Sequence, residues 1–265
     1  MDKATVLFLN RINANFYQQV STSFSETRAN PWEGWKKAMD EIEAFEPDFI
    51  PHTVIDFACG NLRFEKFLLD RIEHQNLMSF HTLDNCTDLV SLGSQKVSHH
   101  NVDIVAKLAD GTLPGLLKKL PEAELTVSFG FFHHVPSFKL RKELLAHSID
   151  ATKAQGYIVI SLWQFMGNEK LAAKALDSTR TALPHLVEQG LSLSQFEEND
   201  WFLGWQESGA LRYCHHFVDE EVHALVDSVS HLAMLIADFK ADGKDGTLNR
   251  YLILRKLPES KVTSA

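Results

Sequence analysis

The sequence predicts an α/β fold, a mostly parallel sheet covered by helices on both faces and closed by a C-terminal antiparallel hairpin. Three observations predict it. Short apolar, β-rich runs alternate with helical periods between residues 53 and 163. A turn holding a single glycine, Cys59-Gly60-Asn61, joins the first of these runs to its helix. Two strand-like runs, 231–240 and 250–256, flank a Gly/Asp-rich turn near the end of the chain.

The elements follow in order. Residues 1–46 read as two helices, near 6–24 and 31–45, the second with Asn30 as N-cap and Pro31 at its first position. Pro47 and Pro51 then lead into a strand over 53–58. The next helix carries Phe64, Phe67, Leu68 and Ile72 on one face. Residues 79–83 read as a second strand ending at Asp84, with 87–93 opening its helix. A third strand is expected over 103–108, before Ala109-Asp110-Gly111, and a helix over 113–120. A fourth strand over 125–129, a helix over 140–152 closed by Gly156, and a fifth strand over 157–163 complete the alternation. The rhythm then changes: a helix over 169–183 ends at Pro184, and 185–217 have no clean period. A helix over 220–229 precedes the terminal pair, and the polar tail after Pro258 is expected to fray. The organisation expected is a helical cap over 1–46 and a main domain over 47–265, with a substrate-side insertion at about 163–217.

Composition narrows the class. Hydrophobic residues make up 45% of the 265 and charged residues 23%, as in a globular protein able to bury a core. No apolar run approaches the roughly 20 residues that span a bilayer, and the run 6–9 stops at Asn10-Arg11. A soluble, cytoplasmic protein is expected. The three cysteines give neither a disulfide framework nor zinc spacing, so reduced thiols and no metal are expected. The net charge of −9 does not favour phosphate backbones, so contact with nucleic acid would need a local basic patch or a basic partner. The pairs Lys36-Lys37, Lys118-Lys119 and Arg141-Lys142 read as solvated helix faces.

The segment Val54-Ile55-Asp56-Phe57-Ala58-Cys59-Gly60-Asn61 resembles the first motif of class I methyltransferases, which bind S-adenosylmethionine on a Rossmann-like sheet. Glycine lets the backbone approach a ligand, and the helix N-terminus offers free N–H groups. Ala58 and Leu62 stand where the family's first and third glycines would be. The resemblance implies that Asp56, Ala58 and Gly60 face the methionyl end of the cofactor. Asp84 suits a pair of ribose hydroxyls. Asp110, with Gly111, suits the adenine edge. The resemblance also implies that Phe129 and His133, at the end of the fourth strand, border the transferred methyl. Adjacent histidines on an extended chain point apart, so at most one of His133 and His134 faces the cofactor.

A finer resemblance is to the tRNA wobble-uridine carboxymethyl methyltransferases, which form methoxycarbonylmethyluridine. It is carried by Asn15-Phe16-Tyr17, Phe24-Ser25-Glu26-Thr27-Arg28, Pro31-Trp32, Cys59-Gly60-Asn61, His133-His134, Leu211 to Phe217 (Leu-Arg-Tyr-Cys-His-His-Phe) and Asn249-Arg250-Tyr251. The acceptor implied is a carboxylate, already a nucleophile, so alignment and desolvation replace a general base. Arg212 is the first candidate to hold that carboxylate and Arg28 the second, because a guanidinium offers a paired fork. His215 joins Arg212 and His133 as a catalytic candidate, and Trp32, Trp205 and Tyr213 as base-lining groups. The family acts on tRNA, in eukaryotes with a small zinc-binding activator subunit. Two other readings stay open: a methyltransferase for a small carboxylic acid or phenol, and a non-catalytic subunit without a working cofactor site.

Overall fold

The computed structural model describes residues 1–26, 30–72, 78–86, 96–205 and 208–258. Seven strands form one sheet: β1 (Thr53–Phe57), β2 (Ser79–Asp84), β3 (Val97–Asn101), β4 (Ala123–Ser128), β5 (Thr152–Trp163), β8 (Ala233–Ala241) and β9 (Asn249–Lys256). Their order is β3-β2-β1-β4-β5-β9-β8. The first five are parallel, and β9 runs antiparallel to both β5 and β8. The central strands are apolar on both sides, which is why they stood out in the sequence. Ile55 and Phe57 face one layer of core and Val54 faces the other.

Helices cover both faces. α2 (Glu33–Phe45) and α3 (Arg63–Arg71) bury Trp35, Ile42, Phe64 and Leu68 against Val54, Phe80 and Tyr251. On the other face lie α4 (Ile104–Ala109), α5 (Leu113–Leu117), α6 (Phe138–Asp150) and α8 (Asp219–Ser228). The cap at the C-terminal ends of the strands combines α1 (Lys3–Glu26), α7 (Glu169–Glu188) and a separate hairpin of β6 (Asp200–Gly204) and β7 (Leu211–His215). Leu9, Leu186, Phe202 and Tyr213 form the core of this cap. Thus α1 packs with the insertion, whereas α2 packs on the sheet. Among the described residues, no helix is long and apolar enough to cross a membrane.

Several expected elements differ. The third strand is Val97–Asn101, and 103–108 are largely helical. Asp103 accepts the Ala106 N–H at 2.9 Å and starts α4, whose apolar run is one buried helix face rather than a strand. β3 is an edge strand with polar side chains, and it lacked the signal of a buried strand. Pro31 precedes α2, whose N-cap is Trp32 with no side-chain cap, so Asn30 does not cap it. Pro184 lies inside α7: it has no N–H to bond back along the helix, yet the helix runs on and the chain turns only at Gln189. Gly156 sits within β5, where a Cβ would meet Thr152 Cγ2 at 2.8 Å and the Glu124 carbonyl at 2.9 Å. It belongs to a register shift against β4, not to a helix end. Residues 185–217 lacked a period because β6 and β7 are packed on both faces, by α1 and α7. Arg141 is not on a solvated face: it is fully buried and ion-paired with Glu197 and Glu221. The expected helix opening at 87–93 and the tail beyond 258 lie outside the described residues.

Candidate active site

The strand order reverses beside β1, between β2 and β4, and α/β ligands bind where such a reversal opens the sheet. A cavity of about 750 Å³ opens at that point. A smaller chamber of about 110 Å³ adjoins it, and both share Tyr17, Ala58 and Gly60. The larger volume lies in the range of small-molecule sites, about 300–1,000 Å³.

The turn after β1 separates the chambers. Ala58, Gly60 and Leu62 have φ of 65°, 55° and 59°. All three lie in the left-handed region, so the backbone keeps a triple-glycine turn although two side chains have been added. The turn is pinned to β2: Ala58 N–H donates to the Leu83 carbonyl at 2.7 Å, and Gly60 N–H to Asp84 Oδ2 at 2.9 Å. Asp84 Oδ1 accepts the Cys86 N–H at 2.8 Å. Burial raises the Asp84 pKa, although these bonds favour its charge.

Acid groups line the sheet side. Asp56 faces the larger cavity, and Glu65, in the first turn of α3, adjoins it. Both are almost fully buried. Apart from each other, Asp56 Oδ1 and both Glu65 oxygens have no hydrogen-bond partner among the described residues. Burial, and then the neighbouring Glu65 charge, push the Asp56 pKa well up, and burial lifts Glu65 to about 7. The smaller chamber is lined by Asp84, Val102, Asp103, Ile104 and Phe131. Asp103 is held by the Ala106 N–H and by Asn10 Nδ2 at 2.7 Å.

Cations and aromatics line the opposite side. Arg212, on β7, has its guanidinium 5.1 Å from the rings of Phe16 and Trp163 and 5.9 Å from Trp205. It is 6% exposed, and its Nε has no hydrogen-bond partner among the described residues. Such a buried donor costs about 1–3 kcal/mol unless something accepts from it. Arg63 lies beneath Trp32 and Trp35 and donates to Asn61 Oδ1 at 3.0 Å and the Asn30 carbonyl at 2.9 Å. Burial lowers its pKa to about 10, so it stays charged. Trp32 stacks on Trp35 and touches the Gly130 position, where a Cβ would lie 3.0 Å from the Trp32 ring. His133 packs on Trp163 at 4.9 Å.

Of the residues expected at a site, Asp56, Ala58, Gly60, Phe129, His133, Trp32, Trp205 and Arg212 line the larger cavity, and Asp84 lines the smaller. Asp110 and Gly111 line neither chamber. Asp110 caps the end of α4, exposed and paired with Lys3, because the third strand ends at Asn101 and not at 108 as the sequence suggested. Asp103 occupies the strand-end place that Asp110 was expected to fill. Tyr213 and His215 point away from the cavity, since alternate residues of β7 face opposite ways. The Tyr213 hydroxyl donates to Asp200 at 2.6 Å, and His215 bridges Asp200 at 2.8 Å and Glu221 at 2.6 Å. Arg28 lies outside the described residues. The sequence reading missed Tyr17, Arg63, Glu65, Asp103 and Trp163 as site residues. Trp163 carried a usable signal, as the last residue of the fifth apolar run.

His133 and His134 form a 3₁₀ turn, not an extended chain, and their rings lie 4.0 Å apart. With Nδ1 protonated, His134 donates to the Tyr213 carbonyl at 2.9 Å, and Tyr17 Oη donates to its Nε2 at 2.7 Å. Its ring is therefore committed to joining α1 and β7, and His133 is the one at the cavity.

No protein-family model and no curated protein matches the sequence. Solved structures do match the fold. The complex described as DhpI-SAM-HEP superposes with a TM-score of 0.56 at 11% identity, covering 93% of this chain and 97% of its own. The Burkholderia thailandensis 1,6-didemethyltoxoflavin-N1-methyltransferase, with bound 1,6-didemethyltoxoflavin and S-adenosylhomocysteine, gives 0.54 at 11%, covering 95% and 88%. A S-adenosylmethionine-dependent methyltransferase from Clostridium acetobutylicum gives 0.52 at 11%, covering 92% and 97%. The chain thus has the Rossmann-like α/β fold of the class I methyltransferases, with the parallel sheet, antiparallel C-terminal pair and two helical layers expected for it.

Proposed function

We propose that this chain is a S-adenosylmethionine-dependent methyltransferase whose acceptor is a carboxylate carried on a planar base, the carboxymethyluridine of a tRNA wobble position. One observation carries the reading. Tyr17, Trp32, Gly60, His133, Arg212 and Asn249, spread over most of the sequence, line a single cavity. They belong to the segments in which the chain resembles that family.

The residues fit the cofactor. Unpartnered acid oxygens at Asp56 and Glu65 suit an ammonium, and Arg63 suits a carboxylate. Asp84 keeps lone pairs for ribose hydroxyls beside its two N–H bonds. Asp103 and Phe131 border the smaller chamber, where an adenine would rest. When bound, the cofactor supplies an electrophilic methyl group on sulfur. The chain's own task is then alignment. Arg212 holds the acceptor carboxylate through its unused Nε, stiffened by the rings of Phe16, Trp163 and Trp205. Trp32 and Trp205 flank the base, and His133 and Trp163 keep water from the reacting oxygen. No side chain has to remove a proton. The net charge of −9 is reconciled with tRNA by a basic partner, such as the small zinc-binding activator the resemblance implies.

A small planar carboxylic acid is the second reading. The net charge favours it, as does the neighbour from Burkholderia thailandensis, which holds 1,6-didemethyltoxoflavin. Nucleoside mass spectrometry of tRNA from a deletion strain separates the two. Loss of a wobble-uridine methyl ester, with its free acid accumulating, is expected. Unchanged esters would remove tRNA as the acceptor. Arg212→Gln is expected to lower kcat/KM about 10–150-fold, the worth of a charge-assisted bond of about 1.5–3 kcal/mol, with cofactor affinity kept.

A further inference from the structure

We infer that Asp56 and Glu65 form a proton-holding carboxyl pair that the cofactor's ammonium group discharges, so that cofactor binding expels a proton and tightens as pH rises. The inference rests on the cofactor reading above and goes beyond it in naming Glu65 and a linked proton.

The geometry carries it. Asp56 ends β1 on the cavity wall, and Glu65 stands behind it in the first turn of α3. Glu65 is 2% exposed and Asp56 3%, yet apart from each other three of their four oxygens have no partner among the described residues. Two adjoining carboxyls in a dry site do not both ionise without a cation. The groups facing them supply none. From β2 come Asp84, itself acidic, and Thr82, with His99 behind them. From the turn comes the Cys59 thiol, which burial pushes far up and keeps neutral. Arg63, two residues before Glu65 on α3, turns its Nε and Nη1 to Asn61 and Asn30 beneath the two indoles and pairs with neither acid. One proton on the pair is the remaining way to balance the charge, and the elevated pKa values of both acids agree.

An ammonium entering beside Asp56 replaces that proton. The carboxyl O–H breaks, its proton goes to solvent, and the pair passes from one negative charge to two as one positive charge arrives. The α3 N-terminus favours the charged form of Glu65 once a cation is present.

Titration calorimetry with S-adenosylhomocysteine, in buffers of different ionisation enthalpy, counts the proton directly. Release of close to one proton per ligand is expected at the pH values where the free pair still holds that proton. Affinity should improve about tenfold per pH unit in that range. Glu65→Gln should abolish both the release and the slope, whereas Asp70→Asn, exposed on the same helix, should keep them. Binding by the unaltered protein without proton exchange overturns the inference and leaves the cofactor reading intact. A Glu65→Gln protein that keeps the slope overturns the role of Glu65. Absence of binding by both S-adenosylhomocysteine and S-adenosylmethionine overturns the inference together with the reading beneath it.

Discussion

Arg141→Ala is expected to cost about 3–5 kcal/mol of folding stability, the range for removing one partner of a buried ion pair. The magnitude follows from its surroundings. The guanidinium is fully buried over the Phe217 ring, 5.7 Å from its centroid. It donates to Glu221 at 2.9 Å, to the Val135 carbonyl at 3.0 Å, and to Glu197. Removing it leaves the side chain of Glu221, only 14% exposed, with His215 as its one cationic neighbour among the described residues. The Glu197 side chain is 30% exposed, so water absorbs much of its share. A cavity term from the lost stem adds to the same sign. Against a typical total of about 5–15 kcal/mol, this is a large fraction. Urea denaturation followed by tryptophan fluorescence measures it. Arg141→Met combined with Glu221→Gln should recover part of the loss, because no bare carboxylate then stays buried. A single-variant loss below about 1 kcal/mol would refute the account. It would mean that the pairs contribute no more than exposed ones. The network also ties α6 to β6 and β7, so the variant should loosen the strand that presents Arg212.

Three further outcomes are expected. Asp84→Ala should weaken cofactor binding by about 1.5–3 kcal/mol and Asp103→Ala should weaken it as well, while Asp110→Ala should leave it unchanged; calorimetry that ranks Asp110 with the other two would reject the chamber assignment. His215 is opposed by burial, but its bonds to Asp200 and Glu221 outweigh this and raise its pKa. Its contribution to stability is therefore full below about pH 6.5 and fades as pH climbs through the raised value. Denaturation midpoints should fall with rising pH in the unaltered protein more than in His215→Gln, and parallel profiles would contradict the bridge. Ala58→Gly should change stability by less than about 1 kcal/mol, since relief of the left-handed φ of 65° offsets the extra freedom of the unfolded chain; a larger loss in thermal denaturation would deny the strain.

How far the sequence spoke depended on what each residue was buried against. β1, β2, β4 and β5 were legible because Val54, Ile55, Phe80, Leu83, Leu125 and Val159 fill both faces of an interior sheet. β3 was not, because Ser98, His99 and His100 lie on an edge and leave no apolar alternation. That one error moved the third acid from Asp103 to Asp110. Glu65 was illegible for a different reason. A glutamate on an amphipathic helix ordinarily faces water, and only the fold shows it turned toward Asp56. Arg63 was hidden by the same rule. The segment Arg212-Tyr213-Cys214-His215 carried a readable clue: a strand period of two sends Arg212 and Cys214 one way and Tyr213 and His215 the other. Which pair faces a ligand is a tertiary fact, settled by Leu9 and Phe202 packing around Tyr213.

The two adjacent histidines show how the cap and the sheet are made one device. His134 follows β4 in the chain and hydrogen-bonds α1 through Tyr17 and β7 at the Tyr213 carbonyl. Asn13 Oδ1 on α1 accepts the Tyr213 N–H at 2.7 Å, so both backbone groups of the residue beside Arg212 are held. Tyr17, fixed by the same ring, lines both chambers. A single buried imidazole thus sets the distance between the turn at Ala58 and Gly60, the proposed cofactor side, and Arg212, the proposed acceptor side. An in-line transfer depends on that distance, and an error of about 1 Å in it can cost about a hundredfold in rate. It follows that His134, which borders the smaller chamber but turns both ring nitrogens to Tyr17 and the Tyr213 carbonyl, should govern turnover more than the affinity for either ligand.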